Sequence, residues 1–190
     1  MREAPAVEPA RAWIAQRPVT AVTITWREDV RRWHPGQRWL WEAGGFGVFD
    51  PGINALSIAT RILPRALFMK SAELDIPENC HTAIAARLTL SDATGMAVNA
   101  DFDFRQSGHQ SWDMLVETTQ GRLFLSEGGA SMAVDGVAQA VPPATEYANL
   151  YRRFGQLIHS GASDVDLAPL RLVADAGLVA RASSVAAFYD

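Results

Sequence analysis

The spacing of apolar residues changes twice along this 190-residue chain. A helical period in the first third and again in the last quarter encloses a long stretch in which apolar and polar residues alternate. The helical period predicts four amphipathic helices. They are expected at residues 6–17, from 45 or 50 to 63, at 146–160 and at 167–183. Thr145 is the expected N-cap of the third helix, and Asp164 or Asp166 is that of the fourth.

Alternation of apolar and polar residues predicts strands. Val19–Arg27 is the first of them, because it alternates and is rich in β-branched residues. Later strands are expected near 67–75, 82–92, 97–105, 110–118, 121–127 and 130–134, with 184–188 as a candidate edge strand. Short turns separate these strands, which favours an antiparallel meander, whereas a strand that arrives after a helix could run parallel to its neighbour.

Together these elements predict an α+β fold. We expect a large, open, mixed but mostly antiparallel sheet with helices packed on one face. The other face is expected to carry alternate residues and to be available for dimerisation. Those residues are Ala85, Arg87, Thr89, Asp101 and Asp103, or their neighbours. The length of 190 residues fits a single domain.

Charge and composition limit which binding partners and which cellular compartment are expected for the protein. The net charge is −4 with no basic block, so nucleic acid is not an expected partner. No apolar run approaches the roughly 18 residues of a membrane span, and the N-terminus has no signal-peptide core. Cys80 is the single cysteine, which excludes an intramolecular disulfide and fits a reducing cytoplasm.

Candidate chemistry concentrates between residues 28 and 57. Asp50 and Asn54 stand one helical turn apart and would share a helix face. A carboxylate accepts protons and hydrogen bonds, and an amide both donates and accepts, so the pair suits a polyol ligand. The alternative is structural, since Asp50-Pro51 also matches an N-cap followed by proline at the first helical position.

The glycines just before this pair resemble a nucleotide-binding loop only superficially. In Gly45-Phe46-Gly47 the spacing puts Asp50 where a third glycine is needed, and no clear buried strand precedes. Phosphate binding is therefore rejected. We expect Gly44, Gly45 and Gly47 to let the backbone pass close to another body, such as a cofactor bound elsewhere.

Tryptophans and a histidine surround the same segment. Trp33, Trp39, Trp41 and Trp112 could pack in a core, but flat rings beside polar groups also face the C–H side of a sugar. His34 lies in the loop and is either a hydrogen-bonding residue or part of the site.

The remaining candidates are weak. His81, His109 and His159 are isolated from any second ligand at metal spacing, so no metal is expected. Lys70, the only lysine, is expected to be a surface charge rather than a base.

Three segments carry a family resemblance. Residues 28–37, residues 44–57 and the late segment 167–176 resemble the bacterial aldose 1-dehydrogenases that oxidise L-arabinose or D-galactose. These belong to the glucose–fructose oxidoreductase, inositol dehydrogenase and rhizopine catabolism (Gfo/Idh/MocA) family. The resemblance implies the C-terminal half of a two-domain enzyme. The N-terminal Rossmann domain, with its phosphate-binding turn and Glu-Lys-Pro motif, would be absent from this chain.

The resemblance also implies roles for the polar pair. Asp50 would lie beside the anomeric hydroxyl of the sugar and assist removal of its proton. Asn54 stands where many members of the family carry histidine, and the aldose dehydrogenases share the asparagine. Asn54 therefore implies an aldose as the substrate.

Further roles are implied for the surrounding residues. Trp33 and Trp112 would line the sugar pocket with His34 close by, and the backbone at Gly44 and Gly45 would lie near the nicotinamide. The resemblance thus predicts the substrate-binding and oligomerisation domain of an NAD- or NADP-dependent aldose 1-dehydrogenase. It would form a cytoplasmic homodimer through the open sheet face. Alone, it is expected to bind no cofactor and to be inactive.

Two alternatives stay open. The chain could be a non-enzymatic, dimeric sugar-binding or scaffolding module. If the resemblance is set aside, it could be a free-standing α+β ligand-binding protein.

Overall fold

The computed structural model describes residues 1–143 and 145–189. Five α-helices are found in these residues: α1 (Val7–Ile14), α2 (Val30–Trp33), α3 (Phe49–Ile62), α4 (Glu146–Ser160) and α5 (Ala168–Val179). The strands are β1 (Val19–Arg27), β2 (Phe68–Pro77), β3 (Ala85–Ser91), β4 (Ala97–Asp103), β5 (Ser111–Thr118), β6 (Gly121–Ser126), β7 (Ser131–Val134), β8 (Val137–Ala138) and β9 (Ala180–Val185). Within the described residues no helix is both long and apolar enough to cross a bilayer.

All of these strands join in one sheet, ordered β8-β7-β6-β5-β1-β4-β3-β2-β9. β1 is parallel to β4, and β2 is parallel to β9, while the other neighbours are antiparallel. The strand β2, which arrives after α3, is parallel to its neighbour β9, as expected for it. The mixed, mostly antiparallel α+β fold is confirmed.

The core lies between one face of the sheet and α1, α3 and α5. On β4 the alternate residues Val98, Ala100 and Phe102 are buried against this layer, and on α3 Leu56 and Ile58 are buried in return. On the opposite face, alternate residues such as Arg87 and Thr89 of β3 are exposed, as the alternation predicts.

The open face is polar and internally paired. Arg27 pairs with Asp101, and Arg105 pairs with both Asp75 and Asp103. Ala85 was expected to be exposed here but is only 2% exposed. Its register partners are Asp75 and Asp103, so the ion pairs of Arg105 span its position and shield it.

Among the helices, the ends of α1 and α5 differ most clearly from expectation. The first helix ends at Ile14 rather than residue 17, in a turn where the Arg17 N–H donates to the Ile14 carbonyl. The last helix ends at Val179, and 180–185 form β9 rather than helix. Asp164 does not cap that helix. Asp166 instead accepts from the Ala168 N–H one residue before the N-cap Leu167.

The helix α4 departs most from the expected layer. Thr145 caps it as expected, but α4 buries no residue. Polar contacts hold it, among them a bond from the Asn149 side chain to the Glu3 carbonyl. A row of large apolar side chains faces outward, which we call the α4 stripe. It comprises Tyr147, Leu150, Tyr151, Phe154 and Ile158, which are 45–68% exposed.

Candidate functional site

A cavity of about 510 Å³ opens beside the end of β1. The chain leaves β1 at Arg27, forms α2, crosses a loop containing the short 3₁₀ helix Arg38–Leu40, and enters α3. Within this segment Asp29 caps α2 by accepting from the Arg31 N–H. The cavity is lined by Met1, Trp26, Glu28, Trp33, His34, Asp50, Pro51, Asn54, Trp112, Glu127, Gly128 and Tyr147.

Close packing of α3 on the sheet places the polar pair. A Cβ at Gly52 would lie 2.7 Å from the buried ring of Phe102, so only glycine lets the helix approach this near. Phe49 meets the same ring edge-on at 6.3 Å. Asp50 and Asn54 consequently face the cavity from successive turns.

The capping interpretation of Asp50 is wrong. Val48 is the N-cap, Phe49 is the first helical residue, and Asp50 is the second, followed by Pro51. The side chain of Asp50 is therefore not used to close the helix end. It lies 3.6 Å from a ring nitrogen of His34, measured from Oδ2 to Nδ1.

His34 is held between two carboxylates. Its Nε2 lies 2.8 Å from Oε1 of Glu28, and its Nδ1 faces Asp50. The ring also rests 5.5 Å from the ring of Phe104. His34 ends α2, where its backbone N–H donates to the Val30 carbonyl, so backbone and side chain are both fixed.

Glu28 is the site residue that sequence reasoning missed. It is only 4% exposed. One oxygen contacts His34, and the other accepts from Nε1 of Trp112 at 2.7 Å. The available signal was its position directly after β1 and six residues before His34, but a glutamate at a strand end is ordinarily solvated.

His34 and Asp50, which lie next to each other in the cavity, both have a raised pKa. The hydrogen bond that His34 donates to Glu28 raises the pKa of His34, with further support from the nearby charges of Glu28 and Asp50, while burial opposes the shift. Burial raises the pKa of Asp50, and the charge of Glu28 adds to this, while His34 opposes it. Each group therefore binds a proton more readily than the free side chain.

The tryptophans divide between site and core. Trp33 meets Trp112 edge-to-face at 5.1 Å, and both line the cavity. Trp33 remains 44% exposed, which leaves its ring accessible. Trp41 instead packs against Phe104 and Phe188, so its core interpretation holds. Trp39 is 46% exposed and does not line the cavity.

The glycines lie outside the cavity lining. A Cβ at Gly45 would meet the Trp39 carbonyl at 2.2 Å, and one at Gly47 would meet the Ala83 carbonyl at 2.4 Å. Gly45 and Gly47 therefore allow a close approach to the backbone of this same chain rather than to a cofactor. Gly44 has φ +86° with nothing within 4 Å of its Cβ position. A role for Gly44 and Gly45 beside a nicotinamide stays a prediction.

The other candidates are not brought to this site. Lys70 is exposed on β2 and does not line the cavity. Among residues 1–143 and 145–189, no three His, Cys, Asp or Glu side chains are grouped as metal ligands. The structure therefore unites five of the sequence-predicted residues in one cavity: Trp33, His34, Asp50, Asn54 and Trp112.

Comparison with known proteins supplies relatives of this domain. No protein-family profile matches the chain. It is 51% identical over 187 residues to a galactose 1-dehydrogenase of Pseudomonas fluorescens, covering 98% of this chain and 61% of that protein. The crystal structure of a D-galactose-1-dehydrogenase from Rhizobium etli superposes with a TM-score of 0.95 at 53% identity, covering 99% of this chain and 60% of that one.

More distant structures share the fold alone. A 3-ketoreductase from Actinomadura kijaniata, KijD10, superposes with a TM-score of 0.75 at 15% identity, over 96% of this chain and 60% of that one. An aldose–aldose oxidoreductase from Caulobacter crescentus gives 0.74 at 14% identity, over 94% and 57%.

Sheet topology and relatives together confirm the family. The chain belongs to the Gfo/Idh/MocA oxidoreductases and corresponds to their C-terminal domain. Within that family it is similar, at about half of its positions, to galactose 1-dehydrogenases. It spans about 60% of the length of these relatives.

Proposed function

We propose that this chain is the substrate-binding domain of an aldose 1-dehydrogenase. In this proposal the complete enzyme oxidises the anomeric carbon of D-galactose or L-arabinose to an aldonolactone. The observation that carries it is the placement of Asp50 and Asn54 on one face of α3, opposite the edge-to-face pair Trp33 and Trp112. Similarity to galactose 1-dehydrogenases supports D-galactose as the first sugar to test.

The cavity offers a sugar three kinds of contact. The tryptophan rings suit the C–H face of a pyranose. The amide of Asn54, which lines the cavity, can donate to one ring hydroxyl and accept from another. Asp50, whose pKa is raised by burial, can accept the proton of the anomeric hydroxyl.

The oxidation also needs a hydride acceptor, which we propose to be NAD or NADP carried by a separate domain. A bound nicotinamide would take the hydride from the sugar. In this chain the open backbone at Gly44 fits the approach of a flat ring, whereas Gly45 is closed off by the carbonyl of Trp39. We therefore expect the isolated chain to be inactive.

The α4 stripe supports a second domain at this position. Tyr147 belongs both to the stripe and to the cavity lining, so the two surfaces are continuous. A body that delivers a cofactor to the cavity would also cover the stripe. Large exposed apolar patches commonly mark such interfaces. We propose that a dinucleotide-binding domain docks on the stripe.

We further propose a homodimer formed through the open face of the sheet, in the reducing cytoplasm. The face is broad, helix-free and lined by fixed ion pairs such as Arg87 with Glu73. Sedimentation of the chain at several concentrations tests this, and a monomer at every concentration would refute it.

A second candidate is a sugar-binding module without catalysis. It is favoured by one observation: the polar and aromatic groups proposed to hold the sugar all come from this chain. Such a module would bind aldoses, and no dinucleotide-binding partner would change its behaviour.

The test joins this chain to the remainder of the Pseudomonas fluorescens galactose 1-dehydrogenase in a chimera. We expect reduction of NAD or NADP with D-galactose by the chimera and none by the isolated chain. Asp50→Asn should lower kcat about 10²- to 10⁴-fold. The matched control is Asp175→Asn, on the exposed surface of α5.

Two outcomes would overturn the proposal. Activity of the isolated chain would refute its incompleteness. A folded chimera that oxidises no aldose, while the isolated chain still binds aldoses by calorimetry, would favour the binding module.

A further inference from the structure

We propose that Glu28, His34 and Asp50 form a proton relay, in which Glu28 is a positioning residue and His34 carries protons away from Asp50. The inference rests on the proposed function, because it concerns the proton released when the sugar is oxidised. Its basis is the line of contacts Glu28 Oε1 to His34 Nε2 at 2.8 Å and His34 Nδ1 to Asp50 Oδ2 at 3.6 Å.

The first element of the relay is a firmly held carboxylate. The backbone N–H of Glu28 donates to the Asp103 carbonyl at 2.9 Å, and its carbonyl accepts from the Gln106 N–H at 3.2 Å. The second carboxylate oxygen is occupied by Nε1 of Trp112. Oε1 is thereby aimed at His34, and the glutamate has little freedom to serve any other partner.

This arrangement selects one tautomer of His34. A carboxylate accepts hydrogen bonds only, so Nε2 must carry the hydrogen that Glu28 receives. In the neutral ring Nδ1 then carries the lone pair, and Nδ1 lies 3.6 Å from Oδ2 of Asp50, just beyond hydrogen-bond distance. A neutral His34 is therefore set to accept a proton from the direction of Asp50.

The proton transfer balances without a further reactant. When the C1–H bond of the sugar breaks, a nicotinamide held by the proposed cofactor domain would supply the acceptor for the hydride. The hydroxyl O–H bond breaks, and its proton bonds to the Asp50 carboxylate. That proton then passes to Nδ1 of His34, which becomes an imidazolium between two carboxylates, and Asp50 is ionised again. Release of one proton from His34 to water completes the cycle.

Several charges bear on His34. Glu28 and Asp50 favour its charged form, the side chain of Gln37 adds a hydrogen bond, and burial opposes the charge. Glu127 and the Met1 amino group, which pairs with Glu146, also face the cavity. The relay can accept a proton only while His34 is neutral, so turnover should rise as pH increases through the raised pKa of His34.

The test needs no sugar and uses the 190-residue chain. Nitrogen-15 NMR of histidine side chains reports both the tautomer and the titration of each ring. At high pH we expect His34 to carry its hydrogen on Nε2. Glu28→Gln should move the His34 titration to lower pH, and His159, exposed on α4, is the internal control. His34→Asn assigns the signal.

A hydrogen on Nδ1 of neutral His34 in the unmodified chain would overturn the relay, whether or not any variant folds. So would an unchanged His34 titration in a folded Glu28→Gln variant.

Kinetics of the chimera described above separate this inference from the proposed function. Glu28→Gln should displace the acidic limb of the kcat–pH profile to lower pH, whereas a purely structural role would lower kcat equally at every pH. An inactive chimera with the expected NMR result would refute the proposed function and leave the Glu28–His34 geometry standing. An active chimera with the wrong tautomer would refute the relay alone.

Discussion

The helices α3 and α4 have similar lengths and similar amphipathic patterns but opposite surroundings. α3 has 14 residues and buries eight of them, whereas α4 has 15 and buries none. Helical periodicity predicts that a face will be covered, but it does not say by what. On α3 the cover is the sheet together with the helices α1 and α5 of the same domain. On α4 the apolar face adjoins the cavity and is exposed.

The sharpest way to probe this difference is truncation of one apolar side chain on each helix. Leu56→Ala on α3 should lower the free energy of unfolding by about 2–5 kcal/mol, because Leu56 is fully buried and a cavity would remain. Phe154→Ala on α4 should change it by less than about 0.5 kcal/mol in the isolated chain. Urea unfolding followed by circular dichroism measures both.

In the chimera we expect a larger effect of Phe154→Ala than in the isolated chain. If a dinucleotide-binding domain covers the α4 stripe, Phe154→Ala should destabilise the chimera by clearly more than it destabilises the isolated chain. Equal effects in the two proteins would mean that the stripe is not covered, and the docking proposal would fail.

Substitution of one glycine on each helix tests the same difference between the buried α3 and the exposed α4. Gly52→Ala should destabilise the isolated chain by about 1–3 kcal/mol, since the new methyl group would overlap the buried ring of Phe102. Gly155→Ala on α4 should stabilise it by about 0.5–1 kcal/mol, because its Cβ meets nothing within 4 Å and alanine favours helix. Thermal and urea unfolding give the signs. A neutral Gly52→Ala would show that α3 can shift away from the sheet.

The smallest expected effect is a pH dependence. The folded pKa of His34 is raised, so its stabilising contribution is complete below the ordinary histidine pKa of about 6.5 and is lost as pH rises through the folded value. His34→Asn should flatten this part of the stability curve, while His159→Asn on α4 should leave it unchanged. Urea unfolding at a series of pH values above about 6 measures the slope. Parallel curves for the unmodified chain and His34→Asn would contradict the stated role of Glu28.

Much of this fold could be predicted because its signals are local. The bounds of β1 were predicted to the residue, since its alternation and β-branched residues act within the strand itself. The boundary between α5 and β9 could not be found in this way. Ala180–Val185 becomes a strand by pairing with β2, more than a hundred positions earlier in the chain, and a sequence window contains no trace of that partner.

The residues of the site also differ in whether their signal is local or comes from a distant part of the chain. Asp50 and Asn54 could be predicted as a pair because one helical turn relates them. Glu28 could not, because its meaning comes from Trp112, 84 residues away. The sequence alone does not distinguish a buried glutamate that accepts two hydrogen bonds from a solvated one. The capping interpretation of Asp50 failed for a related reason, since packing at Phe49 starts the helix one residue before it.

The pairing of β9 with β2 has a consequence for synthesis of the protein. β2 would otherwise be an outer strand of the sheet with its hydrogen-bonding groups open, and β9 is translated long after it. A growing chain on the ribosome therefore exposes the open edge of β2 until residues 180–185 emerge. Polypeptides that end between β2 and β9 would be prone to aggregate, and cells would be expected to clear them through chaperones and proteases.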